Sequence, residues 1–229
     1  MRTYTVMPGD TLGKIAGHFY SDVRLHEKLA AFNGITDPDR IYPGQIIELP
    51  AKSVLTGKPA RPPVVYAGLQ PPRGLEQIKA VFGNIFEYID DDGTLRPEWE
   101  STYFTRARLP FEIPLSWDQT RVVRNLYCHK KLAEIFSMVF DDIERKGLQE
   151  KIKTYGGCFN YRTKRGSGKI STHSWAIAID LNPGSNRPGS KGDMDEGIVE
   201  IFRNYGFTWG GNWPGRSKDP MHFQFCSGY

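Results

Sequence analysis

Ser171-Thr172-His173-Ser174-Trp175-Ala176-Ile177-Ala178-Ile179-Asp180-Leu181 is the stretch on which the reading of this chain turns, together with Asp219-Pro220-Met221-His222-Phe223 further on. Ala176 to Leu181 alternates with period two. A strand there sends Ile177, Ile179 and Leu181 to a core, and Ala176, Ala178 and Asp180 to the opposite face, where two alanines leave a low floor beside the carboxylate. Met221 to Phe225 alternates likewise, with Met221, Phe223 and Phe225 inward and His222 and Gln224 on the other side. His173 precedes the first strand and folds back over it. Two strands of one sheet thus present His173, Asp180 and His222 to one point, with Asp219 as a spare carboxylate. Two imidazoles, a carboxylate and a base are what a mononuclear zinc hydrolase uses. On the residues alone a second account stands, with His222 a packed histidine and Asp180 a strand-end cap. Cys226 shares the His222 face, but four residues of strand span ~13 Å, too far for one ion.

Around this stretch, the composition describes a folded chain of 229 residues, 39% hydrophobic and 13% aromatic. That length accommodates one sizeable domain and a small one. No apolar run approaches the ~20 residues of a membrane span, and no membrane insertion is expected. The net charge of +4 is mild. Residues 1–50 hold 5 Lys/Arg and 6 Asp/Glu, so the positive excess lies later and suits an anionic surface such as a bacterial wall. No nucleic-acid partner is expected. Met1-Arg2-Thr3-Tyr4 lacks the apolar segment of a secretory signal. Cys128, Cys158 and Cys226 are dispersed and odd in number, hence reduced thiols of a protein made in a cytoplasm. Prolines 59, 62, 63, 71 and 72 mark residues 51–73 as an extended linker. The expected organisation is therefore 1–50, a linker at 51–73, and 74–229.

In the first unit, Tyr4-Thr5-Val6 reads as a strand, and Pro8-Gly9-Asp10-Thr11 as a turn ending in a helix cap. Leu12, Ile15, Ala16 and Phe19 recur at helical spacing. A second helix runs from Val23 to Phe32 and stops at Asn33-Gly34. Ile41 to Gln45 is a turn, and Ile46 to Leu49 a closing strand. This β-α-α-β order, with Gly9-Asp10-Thr11-Leu12, Asn33-Gly34-Ile35 and Ile41-Tyr42-Pro43-Gly44-Gln45, resembles a LysM module over residues 2–50. The resemblance implies binding of N-acetylglucosamine chains in a groove between Gly9, Asp10, Thr11, Leu12 and Pro38, Asp39, Arg40, Ile41. Docking on a protein such as a phage tail component is the other role it implies.

In the second unit, Leu75 to Phe86 carries an amphipathic helical stripe. A longer helix is expected from Thr120 to Lys146, with Val123, Leu126, Leu132, Ile135, Phe136, Val139 and Phe140 facing a core and Gly147 stopping it. Cys128-His129 falls inside it and reads as structural. Strands follow Gly147, so the pattern is α+β. Trp175, Trp209 and Trp213 read as cleft walls or as core aromatics.

Residues 155–225 closely resemble zinc D-Ala-D-Ala peptidases of the VanY type and phage L-alanyl-D-glutamate endopeptidases. Ser171, His173 and Asp180 match S-x-H-x6-D, Asp219 and His222 match acidic-x-x-H, and Tyr155 to Arg162 and Gly206 to Gly211 match further segments. Ala176 departs, since many members have glycine there. The resemblance implies an α+β fold with an antiparallel sheet core of the hedgehog and D,D-peptidase kind. It implies Zn2+ on His173, Asp180 and His222, Asp219 as general base and Arg162 at the developing oxyanion, with Ser171 and Trp209 at the substrate. The implied partner is peptidoglycan, its glycan and its stem peptide. An Asp base is seen in the endopeptidase branch, which favours an L-alanyl-D-glutamate endopeptidase serving as a phage or prophage endolysin, made in the bacterial cytoplasm and acting at the wall after release. A D-alanyl-D-alanine carboxypeptidase and a non-catalytic wall-binding or phage-tail component are the alternatives.

Overall fold

The structure is a computed structural model that describes residues 2–20, 22–50, 52–56, 68–164 and 168–229. The chain divides into two compact units. In the first, strands β1 (Arg2–Thr5) and β2 (Ile46–Leu49) pair antiparallel, Arg2 opposite Leu49. Between them lie helices α1 (Leu12–Tyr20) and α2 (His26–Phe32). Val23–Leu25, expected to begin α2, is a separate 3-10 turn capped by the Asp22 side chain. Leu12, Ile15, Ala16, Leu29, Ala30, Val6, Ile47 and Leu49 form the core. Each fully buried Leu or Ile contributes ~1.5–3 kcal/mol. Asn33 ends α2 with its amide on the Leu29 and Glu48 carbonyls, while its Oδ1 accepts from Glu48 N–H. Gly34 follows at φ +67°, the left-handed step that favours glycine.

Helix α3 (Lys52–Thr56) occupies part of the stretch expected to be extended, and Leu55 buries into the same core. Prolines 59, 62 and 63 lie outside the described residues. Pro71 and Pro72 belong to the second unit. Ser227 N–H donates to the Pro72 carbonyl, Gly74 N–H to the Ser227 carbonyl, and Pro71 lies against Gly206.

The helices of the second unit begin with α4 (Gly74–Phe82) and α5 (Glu98–Tyr103). Then come β3 (Phe104–Leu115), β4 (Asp118–His129), α6 (Ala133–Arg145), β5 (Tyr155–Gly157), β6 (Ala178–Leu181), α7 (Glu196–Asn204), β7 (Thr208–Trp209) and β8 (His222–Gln224). The sheet order is β4-β3-β5-β6-β8-β7, antiparallel except where β3 meets β5. The fold is α+β, with strands interleaved with helices rather than coming after them.

The expected helix from Thr120 to Lys146 is corrected here. Its first part is strand β4, and only Ala133–Arg145 is α-helix. β4 is an edge strand of a long ribbon with both faces largely open, so it lacks the clean alternation that marks a strand. Paired β-branched residues, Val122-Val123, favour the extended form. His129 therefore ends a strand. It is buried, its Nε2–H donates to the Phe82 carbonyl, and desolvation holds its pKa down at about 4.

Helices α6 and α7 cover the sheet face that carries Phe223. Phe202 stacks on Phe223 at 4.2 Å, and Phe136 reaches Phe207 at 5.2 Å. His222 and Gln224 alternate with Phe223 and so leave from the opposite face.

Candidate metal centre

Asp180 on β6 and His222 on β8 are directly paired in register, which puts their side chains side by side on one face. His173 comes from the 3-10 turn Thr172–Trp175 that precedes β6. Two tryptophans anchor this turn. Trp99 Nε1–H donates to the Ser174 carbonyl and Trp175 Nε1–H to the Gly83 carbonyl. Ser171 caps it, its Oγ accepting from His173 N–H at 3.4 Å. Ala176 closes it at φ +51° and so does not lie on the strand floor where alternation placed it. The left-handed step costs a non-glycine residue ~1–2 kcal/mol, which gives a physical reason for glycine at this place.

The three donor atoms converge. His173 Nε2 lies 3.1 Å from His222 Nδ1 and 3.3 Å from Asp180 Oδ1, and His222 Nδ1 lies 2.9 Å from Asp180 Oδ1. Zinc bonds of ~2.0–2.1 Å at tetrahedral angles separate neighbouring donors by about 3.3 Å, so the set fits that ion. Among the described residues this is the group of His, Cys, Asp or Glu able to hold a metal. His173 Nδ1–H donates to the Cys158 carbonyl at 2.8 Å, leaving Nε2 bare toward the site. Gly156 lets β5 run beside Asp180, since a Cβ there would lie 2.9 Å from the Asp180 Cβ.

Burial alone would raise the Asp180 carboxyl. With no metal bound, the attraction of a protonated His173 and the hydrogen bonds that protonated imidazoles donate outweigh it and hold the group well below the usual carboxylate range. Burial works against the charged form of His222 as well, but its hydrogen bond and attraction to Asp180 raise its pKa.

Asp219 behaves in the opposite way. Desolvation pushes it up to about 6, with Asp180 adding to the rise and His222, His173 and Arg162 opposing it. Its Oδ1 is buried without a hydrogen-bond partner. Its backbone is pinned, N–H to the Gly210 carbonyl and C=O from His222 N–H. Gly210 is required by this approach, because a Cβ there would lie 2.5 Å from the Asp219 carbonyl oxygen. Trp209 Nε1–H donates to the Pro220 carbonyl at 2.7 Å, so this side chain clamps the Asp219 turn. Arg162 is exposed, its N–H held by Ser174 Oγ.

The tryptophans split in role. Trp175 is fully buried and belongs to the core, whereas Trp213 lies 5.5 Å from the His222 ring. Cys226 is buried, and all three cysteines are free thiols. Several contributors carried no assigned role in the sequence, among them Trp99, Gly156, Gly210, Gln224 and the Cys158 carbonyl. Of these, Gln224 had a signal, its placement on the His222 face.

In the first unit, Thr11 Oγ1 caps α1 by accepting from Lys14 N–H. Asp10 instead accepts from Tyr4 O–H and Met7 N–H, which hold its carboxyl below the ordinary value, the Met7 bond contributing most. Gly9, Asp39 and Arg40 are exposed, and Pro38 and Ile41 half-buried. Leu12 is corrected. It is fully buried in the core and offers a ligand no surface. A cavity of ≈ 600 Å³ is lined by Asn33, Thr36, Asp37, Arg40, Tyr42 and Gln45 among others, and shares only Arg40 with the expected groove.

Comparison with known proteins separates the same two parts. A family model described as LysM domain matches residues 4–50, and one described as D-alanyl-D-alanine carboxypeptidase matches residues 165–225. An uncharacterised protein of Deinococcus radiodurans is 51% identical over 47 residues, 20% of this chain and 19% of its own length. An esterase of Mycobacterium tuberculosis is 50% identical over 44 residues, 19% of this chain and 10% of its own. A potassium binding protein of Escherichia coli O6:H1 is 41% identical over 49 residues, 20% of this chain and 33% of its own. The chain thus spans a third or less of these relatives. No solved structure matches. The chain thus carries, in one sequence, a LysM domain match at 4–50 and a D-alanyl-D-alanine carboxypeptidase match at 165–225 that contains His173, Asp180, Asp219 and His222.

Proposed function

We propose that this protein is a zinc-dependent peptidoglycan peptidase that cuts stem peptides while its LysM domain holds the glycan. The observation that carries the reading is the convergence of His173, Asp180 and His222 beside a buried, unpartnered Asp219 oxygen. His173 Nε2, Asp180 Oδ1 and His222 Nδ1 would hold the zinc. When bound, zinc supplies a Lewis acid and brings the pKa of water toward ~7.

The chain's own residues do the rest. Asp219 takes a proton from the attacking water and later delivers it to the leaving amine. In the metal-free site desolvation holds this carboxyl at about 6, ionised at neutral pH yet more basic than an ordinary aspartate. Arg162 places its guanidinium where the tetrahedral oxyanion develops, and its backbone is steadied by Ser174. Ser171, expected at the substrate, is buried and instead supports His173, and Trp209 holds the base-bearing turn.

Within this reading the bond is the L-alanyl-D-glutamate bond, supported by an aspartate rather than a glutamate in the base position. The family match supports the alternative, removal of a terminal D-Ala. The reading extends to a phage or prophage endolysin, made in the bacterial cytoplasm and acting after release. Free thiols at Cys128, Cys158 and Cys226 are consistent with synthesis in a reducing compartment. On the LysM domain, Gly9, Asp10 and Thr11 opposite Pro38, Asp39, Arg40 and Ile41 are the proposed glycan contacts. A tail-protein partner is the alternative.

Mass spectrometry of digested muropeptides tests the reading. An endopeptidase creates two new internal ends, and a carboxypeptidase removes a single Ala. No product from zinc-loaded protein, or unchanged zinc content in His222→Ala and Asp180→Ala, would overturn it.

A further inference from the structure

The zinc reading gives Nδ1 of His222 to the ion but does not say what holds the ring in that tautomer. Gln224 lies two residues on along β8, so strand alternation puts it on the His222 face. It is 2% exposed, and a buried amide must place both its donor and its acceptor. Its Nε2 lies 3.3 Å from the Cys226 carbonyl. A carbonyl only accepts, so that end of the amide is the NH2 group. The other end is therefore oxygen, and Oε1 lies 3.1 Å from His222 Nε2 and 3.2 Å from Thr172 Oγ1. That oxygen only accepts in turn. Both neighbours must donate to it, and the His222 proton is held at Nε2.

We propose that Gln224 is a positioning residue for the metal centre, resting on the zinc reading above. It keeps a proton of His222 at Nε2, so that Nδ1, facing Asp180 and His173, is the nitrogen given to the ion. The opposite tautomer would set a bare Nε2 against a bare Oε1 and put an N–H where the ion binds. The same oxygen reaches beyond His222. Thr172 precedes His173 in the turn and is 1% exposed. One amide oxygen thus ties β8 to the turn that presents the second imidazole, so its loss loosens two ligands together.

The test is zinc affinity of the full chain, measured by chelator competition, with no peptide substrate involved. Gln224→Leu removes the acceptor, and zinc affinity is expected to fall about 10–100-fold, the range for outer partners of ligating histidines. Gln224→Glu keeps an acceptor at Nε2 and gives up only the donor to Cys226, so it is expected to stay within a few-fold of wild type. Nitrogen NMR of the ring should show a proton on His222 Nε2 in the zinc-loaded wild type. Three results would overturn the proposal. These are a folded Gln224→Leu that binds zinc as tightly as wild type, a Gln224→Glu that loses as much affinity as a misfolded Leu variant, or a proton at Nδ1. If wild type binds no zinc at all, the parent reading fails instead, so the two failures are distinguishable.

Discussion

Replacing Asp219 by Asn should stabilise the metal-free protein while removing most of its activity. The folded carboxyl sits at about 6, against 3.8 for an ordinary aspartate. A difference of about 2 units at 1.36 kcal/mol each sets a ceiling of about 3 kcal/mol. Asp219 is partly open to solvent, and screening brings the expected cost to about 1–2 kcal/mol. The sign follows from which state holds the proton. Below pH 3.8 the group is protonated folded and unfolded, and it costs nothing. As pH rises the unfolded chain ionises first, so stability is lost progressively until about pH 6 and the full cost persists above it. Asparagine never ionises, so its advantage should be widest at pH 8 and clearly smaller at pH 5. At about 2–4 °C per kcal/mol for a unit of this size, the gain in Tm is about 2–8 °C. Thermal unfolding of EDTA-treated wild type and variant at both pH values is the assay. Zinc-loaded Asp219→Asn should meanwhile lose about 10²–10⁴-fold in turnover. An equal gap at pH 5 and pH 8, or no gap at pH 8, would refute the argument that burial of this carboxylate is held against stability.

The same geometry sets three further outcomes. Arg162→Ala should lower kcat about 10²–10³-fold with little change in KM, because its charge meets an oxyanion present chiefly in the transition state; steady-state kinetics showing a raised KM and unchanged kcat would make it a ground-state binder. Gly210→Ala forces a methyl to within 2.5 Å of the Asp219 carbonyl oxygen, so it should cost about 1–3 kcal/mol and most of the turnover while zinc content holds; normal kinetics would show that the turn has room to shift. A chain beginning at Gly68 keeps Pro71 and the Pro72–Ser227 hydrogen bond. It should cleave soluble stem peptides near the full-length rate and act more slowly on intact walls, where tethering raises local concentration. Equal rates on walls would remove the anchoring role of residues 1–50.

Much of the first unit was legible in its residues, because its structure is local. Leu12, Ile15 and Ala16 mark one helix face, Asn33-Gly34 supplies the stop, and Ile47 and Leu49 alternate into the core. The candidate metal ligands were legible for a related reason. Histidine and aspartate at alternating strand positions declare both a face and a chemistry. The β3–β4 ribbon was not, since Val122, Val123 and Leu126 fit a helix stripe as well as a strand. Its state was decided by a partner, β3, whose pairing starts with Phe104 opposite His129.

What the sequence alone determined is therefore the two modules and the candidate site residues His173, Asp180, His222 and Asp219. Tertiary structure alone decided how those groups are tuned. Ala176, placed on a strand by alternation, sits in the left-handed step that turns the chain after His173. The Asp219 carboxyl is raised to about 6 because the surrounding chain desolvates it, and nothing in Asp-Pro-Met-His encodes that burial. His173 is oriented by the carbonyl of Cys158 and His222 by the amide of Gln224. A backbone carbonyl is common to every residue and leaves no mark in a sequence; its direction exists only once the strands have paired.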